Sequence, residues 1–328
     1  MMSQFMRLET DVLIVGACPD RVNNNSILRG FVKEGFDDVL GNGFALECDF
    51  ETAIDQINVS KPKLVLVFGS CMPDVCYYLP LRIACEKIGS MLSFWLHDDP
   101  YEFDFGYRVT ELADWIFSND SWATIHYNHP KVHFLPMAAS PKAHLREWRD
   151  EKSNDVFFCG VAFPNRIALL KDLSLYLSNH RTSIMGGGWP EELSFAKNQR
   201  LTNMQWGNAC ANSHITLNIG RTMNLANKRY QLDAATPGPR TFEAALAGSV
   251  QMMYVDGLGI TDFFEPNNEI ILFDDPKDFN DLLNELLSNR VRSRAIAEAA
   301  RTRALRDHTY AARAKKIIDI VGLAARQN

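Results

Sequence analysis

The sequence predicts an α/β protein made of two doubly wound, Rossmann-like halves facing a cleft. Three observations predict it. Short runs that are apolar on both faces recur along the chain, as strands of a parallel sheet covered on both sides should. Helix-sized amphipathic segments separate them. The pattern stops in a charged stretch near the middle and then restarts, and 328 residues exceed the usual span of one core.

In the first half, residues 11–16 (DVLIVG) read as a buried strand. Ser26 is expected to cap a helix that Gly35 ends. Residues 62–69 (PKLVLVFG) form the strongest strand candidate, followed by a helix over about 74–88. Residues 91–96 (MLSFWL), 115–118 and 132–135 supply three more strands. Residues 136–154 then change character, from proline and small residues to KAHLREWRDEKSN. The expected organisation is an N-terminal domain over 1–140, a linker over 141–154, a second domain over 155–307 and a last helix over 308–328.

The second half opens with a strand at 155–160 (DVFFCG), a helix at 165–177, and strands at 182–186 (TSIMG) and 215–220 (ITLNIG). Its most informative part is residues 236–275. A loop with two prolines leads into a short helix from Arg240 to Ala247, which Gly248 stops. An apolar strand (VQMMYV), a loop and a second short strand (IILF) follow, then helices over 278–287, from Ser293, and from Tyr310.

A Pro/Gly loop entering a helix gathers free N–H groups at the positive end of the helix dipole, where an anion is welcome. Arg240 adds a planar fork of donors suited to phosphate, and a cation at that end of a helix needs a reason to be there. Glu243, one turn on, offers a carboxylate suited to sugar hydroxyls. A diphosphate joined to a ribose needs that pairing.

Composition narrows the class. Hydrophobic residues make up 46% and charged residues 23%, as in ordinary globular chains. A net charge of -6 argues against nucleic acid as a partner, since phosphate-tracking surfaces are basic. The seven cysteines are scattered without CxxC spacing, which fits reduced thiols, a cytoplasmic location and no metal site. The N-terminal residues lack the apolar core of a signal peptide, and no segment reaches the roughly 20 apolar residues of a membrane span. GACPDR stands after the first strand in place of GxGxxG, which disfavours a dehydrogenase.

Further site candidates follow from placement. Gly160 ends a strand, and Arg166 is set to hold a phosphate or to cap the surface. Gly186, Gly187 and Gly188 allow close backbone approach, and Trp189 lines a nucleotide pocket or packs in the core. Asn218 and Arg221 flank a strand end, and Gly238 and Thr241 flank the helix start that carries Arg240. In the first half His97, Asp98 and Asp99 crowd the carboxyl end of a strand, where they could orient an acceptor hydroxyl and take its proton. Asn23, Asn24 and Asn25 suit hydrogen bonding to a polar acceptor, or a turn and a helix cap.

These segments come in a familiar order. FWLHDDP, WIFSND, VHFLPMAAS, DVFFCGVAFPNR, IMGGGW, ITLNIGR and PRTFEAALAG together resemble GT-B glycosyltransferases of the group typified by spore maturation protein CgeB. The resemblance runs in order over about half the chain. It implies two Rossmann-like domains, a nucleotide-sugar donor held mainly by the second, no tightly bound cofactor, and a last helix crossing back to the first. The activity it implies is transfer of a sugar to an acceptor, with retention and without an obligatory metal. Many retaining relatives carry two glutamates here. Glu243 matches the second, but the first would fall near Thr236, which is no carboxylate. The competing readings are a nucleotide-sugar-binding or regulatory protein without turnover, and an epimerase or phosphorylase reusing the same diphosphate site. The nucleotide base, the sugar, the acceptor and the oligomeric state are not encoded legibly.

Overall fold

The apolar runs form two six-stranded sheets, and every strand pair in both is parallel. The architecture comes from a computed structural model that describes residues 10–22, 25–70, 73–255, 257 and 259–323. Its chain divides into two compact units. One holds the described residues through Met137, Asn224–Ala234 and those from Tyr310; the other holds Ala138–Met223 and Ala235–Thr309.

The first unit contains β1 (Val12–Gly16), α1 (Ser26–Leu40), β2 (Ala45–Cys48), α2 (Ala53–Ser60), β3 (Leu64–Gly69), α3 (Val75–Ile88), β4 (Met91–Leu96), α4 (Tyr107–Thr110), β5 (Trp115–Ser118), α5 (Ser121–Thr124) and β6 (Val132–Phe134). Its strand order is β2-β1-β3-β4-β5-β6. β1 and β3 are buried at every position, as their unbroken apolar sequences require. Val65, Val67, Leu92, Phe94 and Ile116 pack with Tyr78 and Leu81 of α3 into its core.

The second unit contains α6 (Pro141–His144), β7 (Asn154–Val161), α7 (Pro164–Asp172), α8 (Ser174–Leu177), β8 (Thr182–Gly187), β9 (Ala196–Lys197), α9 (Asn203–Ala211), β10 (Ser213–Asn218), α10 (Pro239–Leu246), β11 (Val250–Tyr254), β12 (Ile271–Phe273), α11 (Pro276–Ser288) and α12 (Arg290–Asp307). The strand order is β12-β11-β10-β7-β8-β9. Ile184, Ile215, Val250 and Ile271 from four strands of the sheet meet Phe279 and Leu283 of α11 in the core.

The last helix, α13 (Tyr310–Val321), belongs to the first unit. Arg313 ties it there, donating to the carbonyls of Pro136 (2.8 Å) and Met137 (3.0 Å).

Four local readings change. Gly35 does not end α1, which continues to Leu40 and stops at Gly41. A Cβ on Gly35 would lie 2.4 Å from the Tyr310 carbonyl, so this glycine admits α13 rather than ending a helix. Ser26 is the first helical residue, with Asn25 at the N-cap. β2 and α9 were not anticipated, because ALEC is a run of only four residues interrupted by a glutamate and NMQWGNACA carries a weak periodicity. Residues 141–154, read as a linker, lie within the second unit: His144 is fully buried, and Lys152 Nζ donates to the carbonyls of Ala211 and Gly248.

Candidate functional site

A doubly wound sheet leaves a crevice at the carboxyl ends of the two strands where the order reverses. In the second unit those strands are β7 and β10, which pair through Val156–Ile215 and Phe157–Thr216. A pocket lies at their ends, lined by Phe158, Cys159, Arg166, Trp206, Asn218 and Arg240, with a volume of about 30 Å³. α10 starts beside it with Gly238 at the N-cap and Pro239 at the first helical position, where a missing N–H is harmless.

Arg240 and Glu243 hold each other. Arg240 Nη1 donates to Glu243 Oε2 at 2.5 Å, and the guanidinium lies 4.5 Å from the centre of the Trp206 ring. The other Glu243 oxygen is 3.7 Å from His144 Nε2. The Glu243 side chain is 3% exposed and that of Arg240 is 41%, so the carboxylate is enclosed while part of the Arg240 side chain meets solvent. Burial opposes the charge on Arg240, but the Glu243 carboxylate together with the nearby Cys159 and Cys210 leaves the arginine pKa raised. Burial also holds His144 below the usual histidine range, against the pull of Glu243.

Asn218 at the end of β10 joins a second polar group. Its Nδ2 donates to Thr241 Oγ1 and to Gln251 Oε1, both at 2.7 Å, and Gln251 Nε2 donates to the Thr241 carbonyl. This network fixes the first turn of α10 to β10 and β11. Thr241 and Asn218 therefore position Arg240.

Among the remaining candidates of this unit, Arg166, Gly160, Gly186 and Trp189 have structural work. Arg166 spends its donors on carbonyls, Nη1 on Val161 and Nε and Nη2 on Ile219 and Gly220, which straps together the ends of β7 and β10. Gly186 has φ +138, and a Cβ there would sit 1.8 Å from the Gly160 carbonyl oxygen, so the glycines serve strand-to-strand approach. A Cβ on Gly188, at φ +83, would have only Ala162 nearby. Trp189 is a core residue: it is buried, packs edge-on to Phe158, and donates Nε1 to the Met185 carbonyl. Arg221 is half-buried just past β10, while Gly238 is exposed with open space around its Cα. Thr236 is buried.

Trp206, His144 and Gln251 were missed. Trp206 lies on α9, whose Thr202 and Gln205 form a capping box, and that T-x-x-Q spacing was a legible signal. Nothing in the sequence pointed to His144 or Gln251.

In the first unit, β1 and β3 flank the reversal. Asn25 stands near the end of β3, its Nδ2 3.5 Å from where a Gly69 Cβ would be. Asn23 and Asn24 lie outside the described residues. Asp98 accepts Ser70 Oγ at 2.8 Å, and His97 Nδ1 lies 3.8 Å from Asp98 Oδ2. His97 Nε2 is buried with no hydrogen-bond partner among the described residues. Asp99 turns inward, accepting Ser118 Oγ at 2.6 Å and Tyr127 Oη at 2.8 Å. Burial pushes its pKa up to about 7, against the hydroxyl donors that lower it. Asp98 and Asp99 share a pocket of about 10 Å³ with Gly69, Ser70 and Glu102, room for about one water. Among the described residues, the carboxylates spaced to hold a cation are Asp274, Asp275 and Asp278, all exposed at the start of α11.

Comparison with known proteins agrees with this architecture. Residues 166–319 match the glycosyl transferase-like family, a span that includes Asn218, Arg240 and Glu243. No curated protein sequence matches the chain. Among solved structures, Anabaena HepE in complex with UDP-glucose aligns with a TM-score of 0.64 at 10% identity, covering 95% of this chain and 100% of that one. Sucrose-phosphate synthase from Thermosynechococcus elongatus gives 0.64 at 9% identity, covering 95% and 98%. A Listeria monocytogenes protein described as a candidate UDP-N-acetylglucosamine 2-epimerase gives 0.56 at 10% identity, covering 95% and 96%. The fold is that of GT-B glycosyltransferases, and no helix among the described residues is long and apolar enough to cross a membrane.

Proposed function

We propose that this protein is a glycosyltransferase that takes a sugar from a UDP-sugar held by its second unit and passes it to a polar acceptor. The observation that carries the reading is the Arg240–Glu243 pair in the first turn of α10, beside the pocket at the β7/β10 reversal. The glycosyl transferase-like match over 166–319 supports it, and the UDP-glucose complex of HepE favours uridine. The ordered motifs support assignment to the CgeB-like group.

In such a transfer the leaving group is a diphosphate and the sugar becomes oxocarbenium-like. Arg240 and the backbone N–H groups at the start of α10 are the donors set toward the developing charge, which is the reason for proposing metal independence. Retention is proposed from the likeness of PRTFEAALAG to retaining enzymes. Glu243 is assigned to the ribose once Arg240 turns to phosphate. On the acceptor side His97 and Asp98 remain the candidates for orienting a hydroxyl, the buried His97 Nε2 being without a hydrogen-bond partner among the described residues. Asp99 is assigned to holding the loop, because both its oxygens are engaged by hydroxyl donors. Free, largely buried thiols such as Cys85 and Cys210 support a cytoplasmic location.

The test is a thermal-shift series with UDP, UDP-glucose, GDP and CDP in the absence of added metal. A ligand at a hundred times its Kd adds about 2.7 kcal/mol, a rise of several degrees. Arg240→Ala is a poor probe, since it strands the enclosed Glu243 carboxylate and costs stability by itself. Arg240→Lys keeps the charge but loses the fork, so the UDP shift should shrink while the unliganded melting temperature holds. Silence across the nucleotides, or a UDP shift untouched by Arg240→Lys, refutes the assignment.

A further inference from the structure

We propose that a pocket in the first unit, walled by Phe103, Tyr107, Glu111, Asn128, Arg229 and Tyr230, binds a neutral sugar ring and seats the acceptor glycan. The acceptor role rests on the sugar-transfer reading; the sugar binding does not. The pocket measures about 250 Å³, and all its lining residues belong to the first unit.

Its walls are aromatic and built to stay in place. Phe103 is buried and carries two rings edge-on, Tyr127 at 4.7 Å and Tyr230 at 5.0 Å. Tyr107 and Tyr230 nevertheless remain 62% and 45% exposed. Tyr230 and Arg229 come from Asn224–Ala234, a short strap that the chain inserts into the first unit between β10 and α10.

The strap is fixed at several points. Leu225 and Ala226 donate their N–H groups to the Tyr101 carbonyl, and Asp104 N–H donates to the Ala226 carbonyl at 2.7 Å. The Asp104 carboxylate then accepts the N–H groups of Lys228 (2.7 Å) and Arg229 (3.0 Å). Asn227 closes the loop onto Leu232 in both directions, and Leu232 packs against Phe103 and Ala123. Tyr230 is thus presented by anchored backbone against a held phenylalanine, and Tyr107, exposed at the start of α4, lines the same pocket.

A pyranose has a C–H face that stacks on aromatic rings and a rim of hydroxyls that seek carboxylate, amide and guanidinium groups. Tyr107 and Tyr230 supply the first, backed by the buried Phe103, while Glu111, Asn128 and Arg229 supply the second. Rigid tyrosines bind at low entropic cost. An anionic ligand would meet two carboxylates, Glu111 and Asp104, against the single Arg229. A neutral sugar incurs no such repulsion.

The full chain should be tested on an array of neutral oligosaccharides built from glucose, galactose, mannose and N-acetylglucosamine. At least one such series should bind. Tyr107→Ala and Tyr230→Ala should each weaken it about tenfold, Tyr230→Phe should keep most of it, and the UDP thermal shift should be unchanged in all three. Binding of no neutral glycan, binding of acidic glycans alone, or wild-type affinity in both alanine variants would overturn the proposal. If neutral glycans bind but no nucleotide shifts the wild type, the acceptor role falls and the sugar site stands.

Discussion

Asp99 shows how a single buried group sets a pH dependence. It is enclosed between Ser118 and Tyr127, and burial lifts its pKa from 3.8 to about 7. Between those values the folded state keeps a proton that the unfolded chain releases, so this residue stabilises the fold fully below about pH 4. That contribution is lost as pH rises toward 7, with a slope of at most about 1.4 kcal/mol per pH unit. His144 and His214 act oppositely, because burial lowers their folded pKa and stability is lost as pH falls below 6.5. Asp99→Asn isolates the first effect, since the amide stands in for the protonated acid. Denaturant midpoints from pH 4.5 to 7.5 should show wild type losing ground to Asp99→Asn as pH rises. Parallel curves would mean that Asp99 is ionised throughout.

Elements are where the sequence was most and least legible. Runs such as LVLVFG and MLSFWL declare themselves because both faces are apolar, and each became a strand within two residues of its expected ends. The 3₁₀ and short α segments between them carry no such pattern. Gly35 shows the limit, for a helix stop and a helix–helix contact call for the same residue. The two meanings separate by experiment. Gly35→Ala adds a methyl 2.4 Å from the backbone of α13, so overpacking should cost about 1–3 kcal/mol despite better helix propensity. Gly30 lies on the same helix with its nearest contact, Glu47, at 3.9 Å, and Gly30→Ala should be neutral or stabilising by up to about 1 kcal/mol. Equal melting temperatures for the two variants would deny the close packing of α13.

At the scale of the molecule, the sequence disclosed the two-sheet architecture and the helix that carries Arg240 and Glu243. It did not disclose that these side chains pair with each other, because a side-chain partner three residues away is read as easily as a ligand contact. It gave no sign that Asn224–Ala234 folds with the first unit, since that strap lies between two elements of the second. The proposals therefore assign different ligands to different units, and hydrogen exchange can separate them. UDP should slow exchange at the ends of β7 and β10 and through α10, where the pocket and the Asn218–Thr241–Gln251 network lie. A neutral glycan that binds on the array should instead protect residues 101–111, 126–128 and 225–232, whose amides hold the strap and line its pocket. The Asp104 contacts make Lys228 and Arg229 the most telling amides, because a ligand that settles the strap must deepen their protection. Protection by UDP centred on residues 98–128 would move the donor to the first unit and overturn the assignment of Arg240. Glycan protection confined to α10 would do the same to the aromatic pocket.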